Sequence, residues 1–257
     1  MSDAVPSLPS ADAVAPVAAA ATGVKGETTT TEPTRAQQVV ARRVAETKAT
    51  VPEFTLQGEI DMEAVVAFRA ALRAAAGDGA GGGPIPTVND LIVKACALAL
   101  REHPQANGAY RDAQFQRHER VNVGIVVAAP GTLVIPVVLD ADVRSLDEIA
   151  ATTRTLAERA RAGTITPPEL SGGTFTVSNL GMHDVDAFTA VITAPQAALL
   201  TVGTVARRPV NHEEQLALRF TATVTLVCDH RILYGVDAAA FLGRIRALLQ
   251  DPAALAA

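Results

Sequence analysis

Residues 225–242, TLVCDHRILYGVDAAAFL, constrain the fold more than any other stretch. An apolar run that reads as a buried strand ends in Asp229, His230 and Arg231. A glycine and an amphipathic helix follow at once, with Phe241, Ile245, Leu248 and Leu249 on one face. A strand that turns directly into such a helix needs a sheet with helices packed on it. A histidine set between opposite charges at that corner reads, taken alone, as a satisfied structural residue.

The rest of the chain interleaves the same two patterns. Helical spacing is read at 34–51, where Thr34 can cap and Val39, Val40, Arg43, Val44 and Lys48 recur, and again at 63–76. A helix capped near Thr87 puts Leu91, Ala95, Leu98 and Ala99 on one face and stops before Pro104. At 145–165, Ser145 and Glu148 form a capping box. Strands are predicted at 52–62, where Phe54, Leu56 and Ile60 alternate, and at 172–181, 197–210 and 216–230. Two apolar runs around APGT inside RVNVGIVVAAPGTLVIPVVLDAD, residues 120–142, suit strands buried on both faces. The fold class is therefore α/β, a mixed β-sheet with flanking helices. Residues 1–33 are Ala, Pro, Thr, Ser and Val with almost no large side chains, so a disordered linker is expected there and a folded domain over 34–257.

Composition removes several functions. A formal charge of −5 and the lack of a basic stripe argue against a nucleic-acid binder. No apolar stretch is long enough for a membrane span, and the N-terminus has no apolar signal core, so a soluble protein in a reducing compartment is expected. Cys96 and Cys228 sit in apolar runs and read as buried, reduced thiols. No two of the five histidines stand at metal-ligand spacing, so no metal is expected. His103, His118 and His212 read as solvated, whereas His230 ends an apolar strand. In LSGGTFTVSNLGM, residues 170–182, Thr174, Thr176 and Ser178 alternate to one face ahead of Asn179 and Gly181. That segment has neither the layout of a phosphate loop nor a G-x-S-x-G elbow.

Four segments in order, RAQQVVARRVAETKATVPEFTL, RVNVGIVVAAPGTLVIPVV, GGTFTVSNLGM and DHRILYGVDAAAFL, give a collective signal that none carries alone. From about Thr34 to the C-terminus the chain resembles the catalytic core of the dihydrolipoamide acyltransferases of 2-oxo acid dehydrogenase complexes. The resemblance implies the chloramphenicol acetyltransferase fold, and transfer of an acyl group, here acetyl, between coenzyme A and a dihydrolipoyl thiol. By the family pattern His230 is the general base and Ser178 the oxyanion donor, with Thr176 in reserve. Arg69 and Asn179 are the candidate coenzyme A contacts. The implied assembly is a homotrimer with each site between two subunits. Its implied partners are a lipoyl domain, which this chain lacks, and the 2-oxo acid dehydrogenase and dihydrolipoamide dehydrogenase components. The implied location is a bacterial cytoplasm or an organelle stroma or matrix.

Three departures from the family pattern stand out. Tyr234 occupies a position where many members carry Asp or Asn, which leaves the imidazole to be oriented otherwise, by a backbone carbonyl for example. His183 and Asp184 follow SNLGM where Phe-Gly is usual, beside the expected channel mouth. The chain ends in LLQDPAALAA, with only Leu255 among alanines, so a trimer is expected and a larger shell is left open. Two further readings also stay open, a catalytically weak scaffold of the same fold and a coenzyme-A acyltransferase acting on another small acceptor.

Overall fold

The computed structural model describes residues 26–76 and 84–256. The linker expected over 1–33 lies mostly outside these residues, and 27–34 carry no helix or strand. The chain divides into two units, Met1–Ala41 and Arg42–Ala257.

The elements in order are α1 (Arg35–Thr50), β1 (Glu53–Asp61), α2 (Glu63–Ala76), α3 (Val88–Glu102), β2 (Gly108–Arg111), β3 (Gln114–Arg117), β4 (Val123–Ile125), β5 (Val127–Ala129), β6 (Thr132–Val134), β7 (Val137–Val138), α4 (Leu146–Arg161), β8 (Phe175–Asn179), β9 (Ala198–Val202), β10 (Ala206–His212), β11 (Gln215–Asp229) and α5 (Gly235–Gln250). The main sheet runs β1-β11-β9-β8-β4-β7, with β10 also paired to β11. Strand β8 is parallel to β4 and β9, and the other pairs are antiparallel, so the sheet is mixed.

Helix starts follow the predicted caps. Thr34 and Gln37 hydrogen-bond reciprocally at the start of α1. Thr87 with Asp90, and Ser145 with Glu148, form complete capping boxes. The Asp90 carboxylate also accepts from Thr153 Oγ1 at 2.5 Å, which ties α3 to α4. Helix α3 was expected to be buried on one face, yet Asp90–Ala97 are buried all round, because α2, α4 and α5 all pack against it. Lys94 is carried into that interior, where its ammonium donates to the backbone oxygens of Asp142 (2.9 Å) and Arg144 (2.6 Å). Burial lowers its pKa.

Two strand expectations need correction. The run 120–142 is not two strands buried on both faces. It breaks into four short strands, with β4 and β7 in the main sheet and β5–β6 a separate hairpin whose Leu133 is exposed. Pro130-Gly131, with Gly131 at φ 67°, turns the chain, and Pro136 cannot donate to a ladder. The run 197–210 is two strands. Between them Gly203 lies so close to the backbone of Asp186 that a Cβ would sit 2.0 Å from its oxygen. Strand β10 then folds onto the first half of β11 through Glu213 and Glu214, both at positive φ.

The core lies between the sheet and the helices, with Phe175 and Phe241 meeting edge to face at 5.7 Å. Leu255 is fully buried in the same core. A smaller cluster of Val51, Ile192, Leu199 and Val227 covers part of the opposite face. Phe241→Ala is expected to destabilise the protein by about 3–5 kcal/mol, against about 1 kcal/mol for Thr87→Ala, read as shifts of the urea midpoint at constant m-value.

Candidate active site

The ion pair of Asp229 and Arg231 fixes the end of β11. Asp229 is 2% exposed, and its two oxygens accept from Arg231 Nε at 2.9 Å and Nη2 at 2.7 Å. The same carboxylate takes the Arg231 backbone N–H at 3.0 Å. The guanidinium also lies 4.6 Å above the Tyr110 ring and donates to Thr50 O. The hydrogen bond to Asp229 raises its pKa. The opposite charges around His230 therefore satisfy each other, and neither is directed at the imidazole. Beyond them Asp229 O accepts from the amides of Ile232 and Leu233, which closes the turn into α5 with Tyr234 at its N-cap.

His230 is exposed and donates its backbone N–H to Pro52 O at 3.0 Å. Its ring centroid is 4.4 Å from Phe54 and 5.9 Å from Tyr234. Among the described residues no hydrogen bond from another residue engages the ring. The sequence marks Phe54 only as an alternating strand residue. Its place beside His230 follows from the register that sets Phe54 opposite Cys228.

Ser178, near the end of β8, is 7% exposed, and its hydroxyl makes no hydrogen bond among the described residues. Cross-strand neighbours Thr201 and Thr225 share its face, and Thr225 Oγ1 accepts from Gln57. Thr176 points the same way but is fully buried and donates to Gln196 Oε1 at 2.7 Å. Thr174 is tied to Asn122. Gln196 carries no sequence signal, since its partner is 20 positions away on β8.

Within one chain Ser178 and His230 do not meet. Ser178 is level with Thr225 across the sheet, and His230 lies five residues further along, about 16 Å at the strand rise. They also lie on opposite faces. His230 follows Cys228 and Phe54 on the helix side, whereas Ser178 shares the Thr225 side.

Arg69 and Asn179 do share a cavity, of about 610 Å³, on the helix side at the end of β8. Arg154 and Arg161 line it too, with Asp90 and Glu158 as the acidic members and Ile125, Val127 and Val177 as apolar wall. Arg69 Nε donates to Pro86 O, and burial lowers its pKa. Asn179 is held by Gly181 N and by Asn89. His183 and Asp184 are exposed on the turn beyond, where Asp184 takes φ 55° and the exposed Met182 edges the cavity.

His103 and His118 are half-buried, contrary to the solvated reading. His103 packs edge-on against Phe241, and burial lowers the His118 pKa. Among the described residues no cluster of His, Cys, Asp and Glu suits a metal. Burial pushes the Cys228 thiol up to about 12 and Cys96 higher still, so neither is a nucleophile at neutral pH.

Residues 25–257 match the family of 2-oxoacid dehydrogenases acyltransferase (catalytic domain). A Rhizobium meliloti relative, the dihydrolipoyllysine-residue acetyltransferase component of pyruvate dehydrogenase complex, is 36% identical over 218 residues, 84% of this chain and 48% of its own length. The chain thus spans about half the length of the curated relatives it matches. Azotobacter vinelandii dihydrolipoamide acetyltransferase superposes with a TM-score of 0.86 at 32% identity, covering 94% of this chain and 99% of that one. That structure was solved to examine a serine, a histidine and an asparagine in its mechanism. The serine and histidine are as far apart in sequence as Ser178 and His230, and the asparagine follows the histidine at the interval that separates Tyr234 from His230. A cubic core of the pyruvate dehydrogenase multienzyme complex matches with the same TM-score, identity and coverage.

With both thiols buried and protonated, Cys96 and Cys228 are expected to resist iodoacetamide at pH 8 in the native protein and to react fully in denaturant, counted by mass. Arg231→Ala is expected to destabilise by about 3 kcal/mol, because it strands a buried carboxylate; a midpoint equal to native would remove the pair from that role.

Proposed function

Because this chain belongs to the family of 2-oxoacid dehydrogenase acyltransferase catalytic domains, we propose that it moves an acetyl group between coenzyme A and a dihydrolipoyl thiol, with His230 as base and Ser178 as oxyanion donor. The observation that carries the proposal is the state of these two side chains. The imidazole stands exposed at the end of a pinned strand with no hydrogen bond to its ring, and the hydroxyl is nearly buried with no partner of its own. Both are therefore available to a substrate.

A thiol with a pKa near 8.5 is mostly protonated at neutral pH, and a neutral imidazole nitrogen beside it removes that proton as sulfur attacks the thioester carbonyl. The carbonyl oxygen gains charge, and a hydroxyl aimed at it lowers the barrier. Collapse expels the other thiol, which recovers the proton from the imidazole. Ser178 fills the donor role better than Thr176, whose hydroxyl is already committed to Gln196.

The separation of Ser178 and His230 favours a site shared by two copies of the chain, His230 from one and Ser178 from the next. A homotrimer closes such a pairing. Coenzyme A carries anionic phosphates, and the cavity at the end of β8 offers Arg69, Arg154 and Arg161 against Asp90 and Glu158, with Asn179 at its edge. The acyl arm comes from a lipoyl domain, in a complex with 2-oxo acid dehydrogenase and dihydrolipoamide dehydrogenase components. No helix among the described residues is long and apolar enough to cross a membrane, and we place the protein in a bacterial cytoplasm or an organelle stroma or matrix.

Acetyl transfer from acetyl-coenzyme A to dihydrolipoamide is the test. Ser178→Ala is expected to lower kcat by roughly 10²–10³-fold, and His230→Ala by at least as much. Trimers mixed from the two inactive variants are expected to regain about a quarter of native activity, since native pairs re-form at random interfaces. Mixed trimers as inactive as either parent would place both residues in one chain's site. A native trimer inert toward several acyl donors would leave a scaffold, and one active only with other acceptors would redirect the reading to a different acyltransferase.

A further inference from the structure

The reaction needs the His230 ring held at a fixed angle, and the hydrogen bonds of the described residues do not hold it. The backbone on either side is locked, by the Asp229–Arg231 pair and by the bond from His230 N to Pro52 O. Only the two side-chain torsions of the histidine stay free. What restrains them is a ring on each of two neighbouring elements. Phe54 on β1 approaches to 4.4 Å with an interplanar angle of 41°, and Tyr234 at the head of α5 meets the imidazole edge-on at 5.9 Å and 60°. The Tyr234 distance falls in the range where edge-to-face ring pairs attract, and Phe54 sits in direct ring contact at its near limit.

Tyrosine at residue 234 also comes at a cost. It is the N-cap of α5, with extended φ −106° and ψ 165°, and its side chain makes no cap hydrogen bond. Asp, Asn or Ser there would satisfy an amide of the first turn, so tyrosine forgoes local helix stability. Nor is that loss offset by burial within the chain, where Tyr234 is 56% exposed. A residue that serves neither the cap nor the core, and whose ring touches the imidazole, fits a role at the site.

We propose that Phe54 and Tyr234 form an aromatic clamp that orients the His230 imidazole without engaging either nitrogen, with Tyr234 as the positioning residue. The inference rests on the reading of His230 as the base. The clamp sets the ring plane through ring contacts and leaves both nitrogens free for the thiol and its proton. The tyrosine hydroxyl has no part in it.

The test uses the intact trimer with Tyr234→Phe, Tyr234→Ala and Phe54→Leu, the last keeping apolar bulk under the sheet. Tyr234→Phe is expected to keep kcat within about twofold, and Tyr234→Ala to lower it about tenfold with KM for both substrates unchanged, as misorientation of one reacting group requires. Phe54→Leu is expected to fall between them. An independent readout is the imidazole proton resonances of His230, assigned through His230→Gln. The flanking rings shift them in the native protein, and they are expected to move toward free-histidine positions in Tyr234→Ala but not in Tyr234→Phe. Native kcat in Tyr234→Ala would overturn the proposal, as would a Tyr234→Phe enzyme as impaired as Tyr234→Ala, which would give the role to the hydroxyl. If the native protein transfers no acetyl group the catalytic reading fails, and the resonances still report on the clamp: unchanged positions in Tyr234→Ala would overturn it too.

Discussion

The buried pairing of Asp229 with Arg231 decides where the central strand stops, and much of the molecule is aligned from that point. Strand β11 binds β1, β9 and β10, so its register sets the positions of four strands at once. A carboxylate this deeply buried is tolerable only when paired and hydrogen-bonded, and here the guanidinium and a backbone amide meet both demands. The Asp229 carbonyl also closes the turn that launches α5, the helix whose Phe241 packs on Phe175. The same local solution therefore stops the strand, starts a core helix and leaves His230 projecting between them.

A division of labour between the two sheet faces follows. The helix face is apolar and encloses most of the core, including the wall of the arginine-lined cavity at the end of β8. The other face carries Ser178, Thr201 and Thr225 in a row across three strands, with Gln57 on the fourth. Alternation along a strand sends neighbours to opposite faces, so Asn179 reaches the cavity while Ser178 reaches the hydroxyl row. A reaction needing both His230 and Ser178 cannot be assembled inside one copy of this sheet, and that is the physical reason to look for the site between copies.

Much of this was legible beforehand. The cap near Thr87, the capping box at Ser145, the helix after Gly235 and the strand ending at Asp229 depend on contacts a few residues apart, which sequence patterns report directly. The turn at Pro130-Gly131 was legible in the run 120–142, but hydropathy alone does not reveal that each flanking run divides again, at Val126 and at Ile135 and Pro136. The break near Gly203 was hidden for another reason. It answers to a backbone contact with Asp186, a neighbour in space whose distance no local pattern encodes.

The sequence by itself determined the interleaved α/β pattern and marked His230, Ser178 and Tyr234 as the residues to watch, because each sits in a short motif whose chemistry is local. Tertiary structure alone decided which of them have free hydrogen-bonding groups. It showed Thr176 committed to Gln196, Asp229 committed to Arg231, and the His230 ring set between Phe54 and Tyr234. Those outcomes depend on strand register and on side chains brought together from distant parts of the chain. A one-residue shift of β1 against β11 would move Phe54 to the other face and leave the imidazole without its nearer ring.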